Sequence, residues 1–217
     1  MVDRCPPIVS QPALEADSSV DGPLPLGRAF FERDTCAVAR DLLGQYLVAA
    51  TPPGHPYFVV VETEAYAEGD AACHAARYTA ETARGRSAIM FGPPGQAYVY
   101  LIYGMHHCLN VVTEVAGRAG AVLIRALAPA DCAGERPGRH MPLLTHGPGR
   151  LTRALGITRD AHNGLDLTDP LSAFWFAAGR HVPDEAVVQT TRIGIRQATD
   201  YPWRFYVRES PWVSVKP

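Results

Sequence analysis

Lysine is almost missing from this chain of 217 residues: Lys216 stands alone beside nineteen Arg. A covalent imine with a carbonyl substrate needs a desolvated Lys amine, so chemistry of that kind is nearly excluded. Long apolar runs are missing too. No stretch approaches the ~20 residues that span a bilayer. The N-terminus has neither the charged start nor the continuous apolar core of a secretory signal, which makes the cytoplasm the expected location. The five Cys (Cys5, Cys36, Cys73, Cys108 and Cys132) are odd in number and widely spaced, without a C-x-x-C pair. Reduced thiols are therefore expected rather than a disulfide framework. Cys73-His74, Cys108 and Cys132 do not show zinc spacing, and the His-x-Glu and Pro-Cys-x-x-Cys pattern of zinc deaminases is missing. Neither a metal nor another cofactor is implied. Internal repeats and low-complexity tracts are also lacking.

What is present suits one domain, since 47% hydrophobic residues in a chain of 217 can bury a sizeable core. Residues 1–26 stand apart. They hold five prolines, and Asp3, Glu15, Asp17 and Asp21 face Arg4 alone, a local charge of −3. With no helical or strand periodicity, this segment reads as a disordered lead-in without chemistry, and 27–217 reads as the domain. The formal net charge of −2 argues against a nucleic-acid partner at first sight. Between Arg77 and Arg159, however, ten Arg stand against Glu81, Glu114, Asp131 and Glu135, a charge of +6 that is enough for a basic face.

The segment Phe58-Val59-Val60-Val61-Glu62-Thr63-Glu64-Ala65-Tyr66 places two carboxylates and a tyrosine at the end of an apolar strand. Regular alternation sends Val59, Val61 and Thr63 to one face and Val60, Glu62, Glu64 and Tyr66 to the other. The pattern alone does not choose between Glu62 and Glu64. Residues 97–103 and 107–113 read as two further strands joined around Gly104. Alternation there puts Tyr98, Tyr100 and Ile102 on one face and Tyr103 on the opposite face, beside the turn. A helix is expected from the Asp34 cap to about Leu43, stopped by Gly44. The strand 45–50 can then pair with 57–64. A long loop covers 67–94, a strand runs from Ala121 to Leu127, and a second helix spans 149–155. Short strands follow at about 187–196 and 204–208. Poor β-α alternation favours a mixed α/β (α+β) domain with a mainly antiparallel sheet and flanking helices.

Several blocks in fixed order resemble the alkyladenine DNA glycosylase family, the 3-methyladenine DNA glycosylases of the vertebrate-enzyme type. They are Val61-Glu62-Thr63-Glu64-Ala65-Tyr66, His74, the run from Tyr98 to Asn110, Leu123-Ile124-Arg125-Ala126-Leu127, Gly147-Pro148-x-x-Leu151, and Arg204 to Val215 with its Ser210-Pro211-Trp212. The resemblance covers nearly the whole domain. It departs from the family between His74 and Met90, where a longer Arg77–Arg86 stretch without proline replaces the short Arg-x-x-Thr-Pro-Arg-Asn element.

The resemblance implies a compact domain with a protruding, DNA-inserting β-hairpin, acting as a monomeric enzyme without a cofactor on duplex DNA that contains damaged purines. It makes Glu64 the general base that activates water, with Arg125 as its ion-pair partner, the backbone at Ile193 as a further water contact and Glu62 as a structural companion. Tyr103 would fill the space left by an everted nucleotide, and Met105 and His106 would sit at the hairpin tip. Tyr66 and Tyr100 would stack on the everted purine, His74 would hydrogen-bond its edge, and Asn110 would obstruct the exocyclic amino group of normal guanine. The implied reaction is hydrolysis of the N-glycosidic bond of alkylated or deaminated purines (3-methyladenine, 7-methylguanine, hypoxanthine, ethenoadenine), leaving an abasic site. The near absence of Lys speaks against strand-nicking lyase activity. Two other classes are compatible with parts of this pattern: a protein that binds lesions without cutting, and a hydrolase of free nucleosides.

Overall fold

The structure, a computed structural model, describes residues 23–50, 57–131 and 145–215. Most of the expected lead-in, together with Cys5 and Cys132, lies outside the described residues. Residues 25–26 are already tied to the sheet, since Pro25 bridges Ala177 and the Leu26 N–H donates to Phe176 O at 2.8 Å.

The described elements run α1 (Arg28–Phe31), α2 (Thr35–Asp41), β1 (Tyr46–Ala49), β2 (Tyr57–Ala67), β3 (Ala97–Ile102), β4 (His106–Val112), β5 (Gly120–Pro129), α3 (Pro148–Ala154), α4 (Arg159–His162), β6 (Phe174–Ala177), β7 (Val187–Thr190) and β8 (Arg204–Val207). All eight strands belong to one antiparallel sheet in the order β3-β4-β5-β2-β1-β6, with β8 joining β2 and β7. This is the expected mixed α/β class. The strand expected at 187–196 stops at Thr190, and the loop 67–94 contains a 3-10 helix at Gly85–Phe91 that sequence reasoning missed. The short α1, α4 and β6 were also missed, because four-residue elements carry too little periodicity to register.

Local chemistry explains the start of the fold. Asp34 caps α2 by accepting the Ala37 N–H at 2.9 Å, which is worth about 1 kcal/mol. Val38, Ala39 and Leu42 then enter the main core with Phe31, Val60, Ile124, Phe176 and Phe205. Full burial of each large side chain there contributes roughly 1.5–3 kcal/mol. Gly44 ends the helical region at φ 83°, where a Cβ would lie 2.1 Å from the Arg180 carbonyl oxygen, so no other residue fits this corner.

β2 is the central strand. One edge pairs with β5 along nearly its whole length, while the other pairs first with β1 and then with β8. Its alternation is not regular. The register with β5 shifts between Val60 and Glu62 and again between Glu62 and Thr63. As a result Val60 and Ala65 lie in the main core, and Thr63 donates to Ala39 O of α2 at 2.7 Å. Val59 and Val61 pack instead with Trp212, and Glu62 bonds Ser214. The expectation that Thr63 shares a face with Val59 and Val61 is therefore wrong. A β-bulge inserts an unpaired residue and resets the phase of the strand beyond it. Glu64 and Tyr66 keep a common face, opposite Ala65.

Candidate active site

β3 and β4 pair from Ala97–Val111 to Ile102–His106. Their connection is a tight turn in which Met105 N–H donates to Ile102 O at 3.3 Å, with Tyr103 at φ 53° and Gly104 at φ 71°. Positive φ suits Gly104, but a tyrosine held there costs roughly 1–2 kcal/mol. Tyr103 is 79% exposed and Met105 70% exposed, so neither bulky side chain is held by packing. The turn also corrects the alternation argument. β3 ends at Ile102, and the left-handed residue after it returns Tyr103 to the side of Tyr100, where both line one cavity.

That cavity is about 290 Å³, near the lower end of small-molecule pockets. Glu64, Tyr66, His74, Tyr100, Tyr103, Asn110, Arg125 and Ile193 all line it. Of the eleven residues given roles from the sequence, Glu62, Met105 and His106 are not among its lining, and Met105 lies at the hairpin tip. It faces an open groove between the hairpin tip and α3, with His106, Arg153 and Thr158. Gly149 of α3 makes that approach possible, because a Cβ there would lie 3.1 Å from His106 Cβ.

Two carboxylates that are 0% exposed share Arg125, Glu64 at the cavity wall and Glu62 outside its lining. Arg125 Nε donates to Glu62 Oε1 at 2.8 Å, and its Nη1 lies 3.1 Å from Glu64 Oε2. Glu62 is saturated. Its Oε1 also accepts from Arg204 Nε at 2.8 Å and Ser214 Oγ at 2.9 Å, and its Oε2 accepts the Ser214 N–H at 2.6 Å. Burial would raise its pKa, but Arg125, the Ser214 N–H and Arg204 outweigh this and hold it below the usual carboxylate range. Glu64 is less committed. The Ile193 N–H donates to its Oε1 at 2.7 Å, and the Tyr66 hydroxyl donates to its Oε2 at 2.8 Å. A carboxylate offers about four lone-pair sites, so Glu64 retains acceptor capacity on the Oε1 side. The distinction that the sequence pattern left open is thus physical: one carboxylate is consumed by structure, and the other opens to the cavity.

The walls are aromatic. Tyr66 and Tyr100 both have strongly raised pKa values, from burial first and, for Tyr66, from the neighbouring Glu64 charge second. Both remain neutral phenols. His74 stands edge-on to Tyr100 with ring centroids 4.7 Å apart, and its Nδ1 is 2.7 Å from the Tyr98 hydroxyl. Burial, followed by the Arg86 charge, lowers its pKa to about 4, so near neutral pH the ring carries one donor and one acceptor. Asn110 is fixed through its Nδ2, which donates to Tyr98 O at 2.9 Å. Its Oδ1 is the end of the amide left uncommitted among the described residues.

Sequence reasoning missed Tyr98 as the partner of His74, Cys108 beside Tyr100, and the buried pair Asp70–Arg192. The first two lay within the quoted hairpin run and could have been found by pairing the strands. Asp70 and Arg192 have no shared local pattern. Among the described residues, no three His, Cys, Asp or Glu side chains converge as a metal would require. Arg77, Arg84, Arg86, Arg150 and Arg153 are exposed and have no ion-pair partner among the described residues, unlike Arg118 and Arg159.

Comparison with known proteins identifies the family. The family model for methylpurine-DNA glycosylase matches residues 29–211. A protein of Methanoculleus marisnigri named "Putative 3-methyladenine DNA glycosylase" is 49% identical over 197 residues, covering 87% of this chain and 98% of its own. Proteins of the same name from Salinibacter ruber and Carboxydothermus hydrogenoformans are 45% and 46% identical, covering 88% of this chain and 96% and 99% of their own. With a match across most of both chains, this protein belongs to the methylpurine-DNA glycosylase family.

Proposed function

We propose that the protein is a monofunctional DNA glycosylase of base excision repair, which hydrolyses the N-glycosidic bond of alkylated or deaminated purines in duplex DNA. The observation that carries this reading is Glu64: a fully buried carboxylate, held by Arg125, Tyr66 and the Ile193 N–H, with acceptor capacity left toward an aromatic cavity. Cleavage of such a bond passes through an oxocarbenium-like state and needs a water behind the anomeric carbon. Glu64 deprotonates that water and its charge faces the developing cation, while Arg125 fixes the carboxylate. Family membership and the names of the relatives support DNA as the substrate and base release as the reaction.

In this reading Tyr103 enters the duplex from the hairpin tip and offsets the stacking lost when the damaged nucleotide leaves. The purine then lies against Tyr66 and Tyr100, with neutral His74 at its edge and Asn110 as a filter against guanine. Stacking tolerates base identity, which suits a substrate set from 3-methyladenine and 7-methylguanine to hypoxanthine and ethenoadenine. Cationic methylated purines leave readily, so for them the water-activating carboxylate is the main requirement. Lys216 is the sole lysine in the sequence, so a lyase step through a lysine imine has little to draw on.

Release of hypoxanthine and of methylated purines from duplex oligonucleotides by wild type and Glu64→Gln, each with a parallel binding measurement, tests the proposal. Wild type is expected to release base, and the variant to be slower by about 10²-fold or more while keeping its affinity for the lesion. Tight lesion binding without release by either protein would make this a damage sensor. Faster release from free nucleosides than from duplex would make it a nucleoside hydrolase.

A further inference from the structure

Two stretches far apart in the chain, 65–70 and 192–198, meet on one buried guanidinium, that of Arg192. Its Nη1 donates to Ala65 O of β2 at 2.8 Å and also to Asp70. Its Nη2 donates to Asp70 Oδ1 at 2.9 Å and to Ala198 O at 3.3 Å. Both side chains of the Arg192–Asp70 pair are 0% exposed. The guanidinium carbon lies 4.7 Å from the centroid of the Tyr66 ring and 5.2 Å from that of Trp203, within cation–π range of each. The next residue in the chain, Ile193, supplies the N–H that Glu64 accepts at 2.7 Å.

Stability does not account for this arrangement. Burying two opposite charges commonly fails to repay their desolvation, and well-packed apolar replacements are often neutral or better. Here the cost is greater, because Arg192 Nε is buried with no hydrogen-bond partner. What the pair supplies is geometry. It joins the strand carrying Glu64 and Tyr66, the loop leading through Asp70 to His74, and the loop carrying Ile193. A planar fork with five donors can hold such segments together, which an ammonium cannot.

We infer that the Arg192–Asp70 pair is a positioning clamp for the reaction: it sets the Ile193 N–H and the Tyr66 ring, and through them the orientation of the Glu64 carboxylate. This rests on the glycosylase reading above. Arg192 touches neither base nor sugar in this scheme; it acts through Ile193 and Tyr66. Small misplacements of a catalytic group are costly, about 10²-fold for ~1 Å.

The test uses Arg192→Lys, which keeps the charge but loses the fork, and the neutral pair Asp70→Asn/Arg192→Gln. Excess protein excises 7-methylguanine from a duplex in single turnovers, with the active fraction titrated separately. The clamp predicts that the maximal rate constant of correctly folded Arg192→Lys falls about 10- to 100-fold, while the protein concentration giving half-maximal rate stays within about twofold of wild type. A merely structural pair would lower the active fraction and leave the rate constant of the remainder unchanged, which would overturn the inference. So would a weakened half-maximal concentration with an unchanged rate, or failure of both variants to fold. A wild type that releases no base would remove the glycosylase reading itself and the clamp with it, whereas a working wild type matched in rate by Arg192→Lys would remove the clamp alone.

Discussion

His74 shows how one side chain links burial to both chemistry and stability. Its pKa in the folded chain is about 4, against an ordinary 6.5. Between these values the unfolded chain takes up a proton that the folded chain refuses. The stabilisation from a neutral, buried His74 is therefore complete above 6.5 and is lost progressively as pH falls to about 4. In urea melts, wild type should lose more stability between about pH 7.5 and about pH 4.5 than His74→Gln does; parallel losses would mean that His74 titrates like an exposed imidazole. At this scale the sequence was informative where a residue sat in a quoted block. Glu64, Tyr66, His74, Tyr100, Asn110 and Arg125 all came to one cavity. It was silent on Arg192, whose partners stand at 65, 70 and 198, because a buried ion pair across 122 positions leaves no periodic trace in either segment.

Among the elements, the β3–β4 turn ties conformation most directly to the proposed role. Tyr103 at φ 53° is strained, and its ring is exposed. Replacing it with glycine removes the steric penalty and sacrifices almost no packing, although glycine also loosens the unfolded chain. Tyr103→Gly is accordingly expected to melt within about 1 kcal/mol of wild type, yet to excise base from duplex DNA at least about tenfold more slowly. A variant with normal duplex activity would show that the ring does not support base eversion. The extents of α2, β5 and the strands around this turn were legible within a residue or three, since caps, Gly stops and apolar runs mark them. The phase of β2 was not. Period-2 reasoning assumes an unbroken ladder, and the register shifts on either side of Glu62 come from pairing with β5, which β2 alone does not encode.

For the whole molecule, the net charge of −2 conceals an uneven distribution. Arg150 and Arg153 stand exposed on α3, which packs against β4 through Thr152 Oγ1 donating to His107 O at 2.9 Å, beside the hairpin tip. If they meet phosphates, Arg150→Gln/Arg153→Gln will weaken lesion-containing and undamaged duplex equally. It will also lower the slope of log affinity against log salt by about 1–2 units and spare the single-turnover rate at saturation. A change in lesion preference instead would place them at the base. The antiparallel class and the one-sheet architecture were readable from the alternation of strands without intervening helices, but the sheet order was not, because it depends on β8 returning from near the C-terminus to pair with β2.

That return has a consequence for when the protein becomes competent. Two of the four donors to Glu62 come from Ser214, and Arg204 is held in turn through Val215 O. A nascent chain paused before Ser214 has already made Glu64, Arg125, Arg204 and every aromatic of the cavity, but Glu62 would still lack the two donors that Ser214 supplies and be held by Arg125 and Arg204. The order of synthesis thus leaves the surroundings of Glu62, and through Arg125 those of Glu64, incomplete until Ser214 is made.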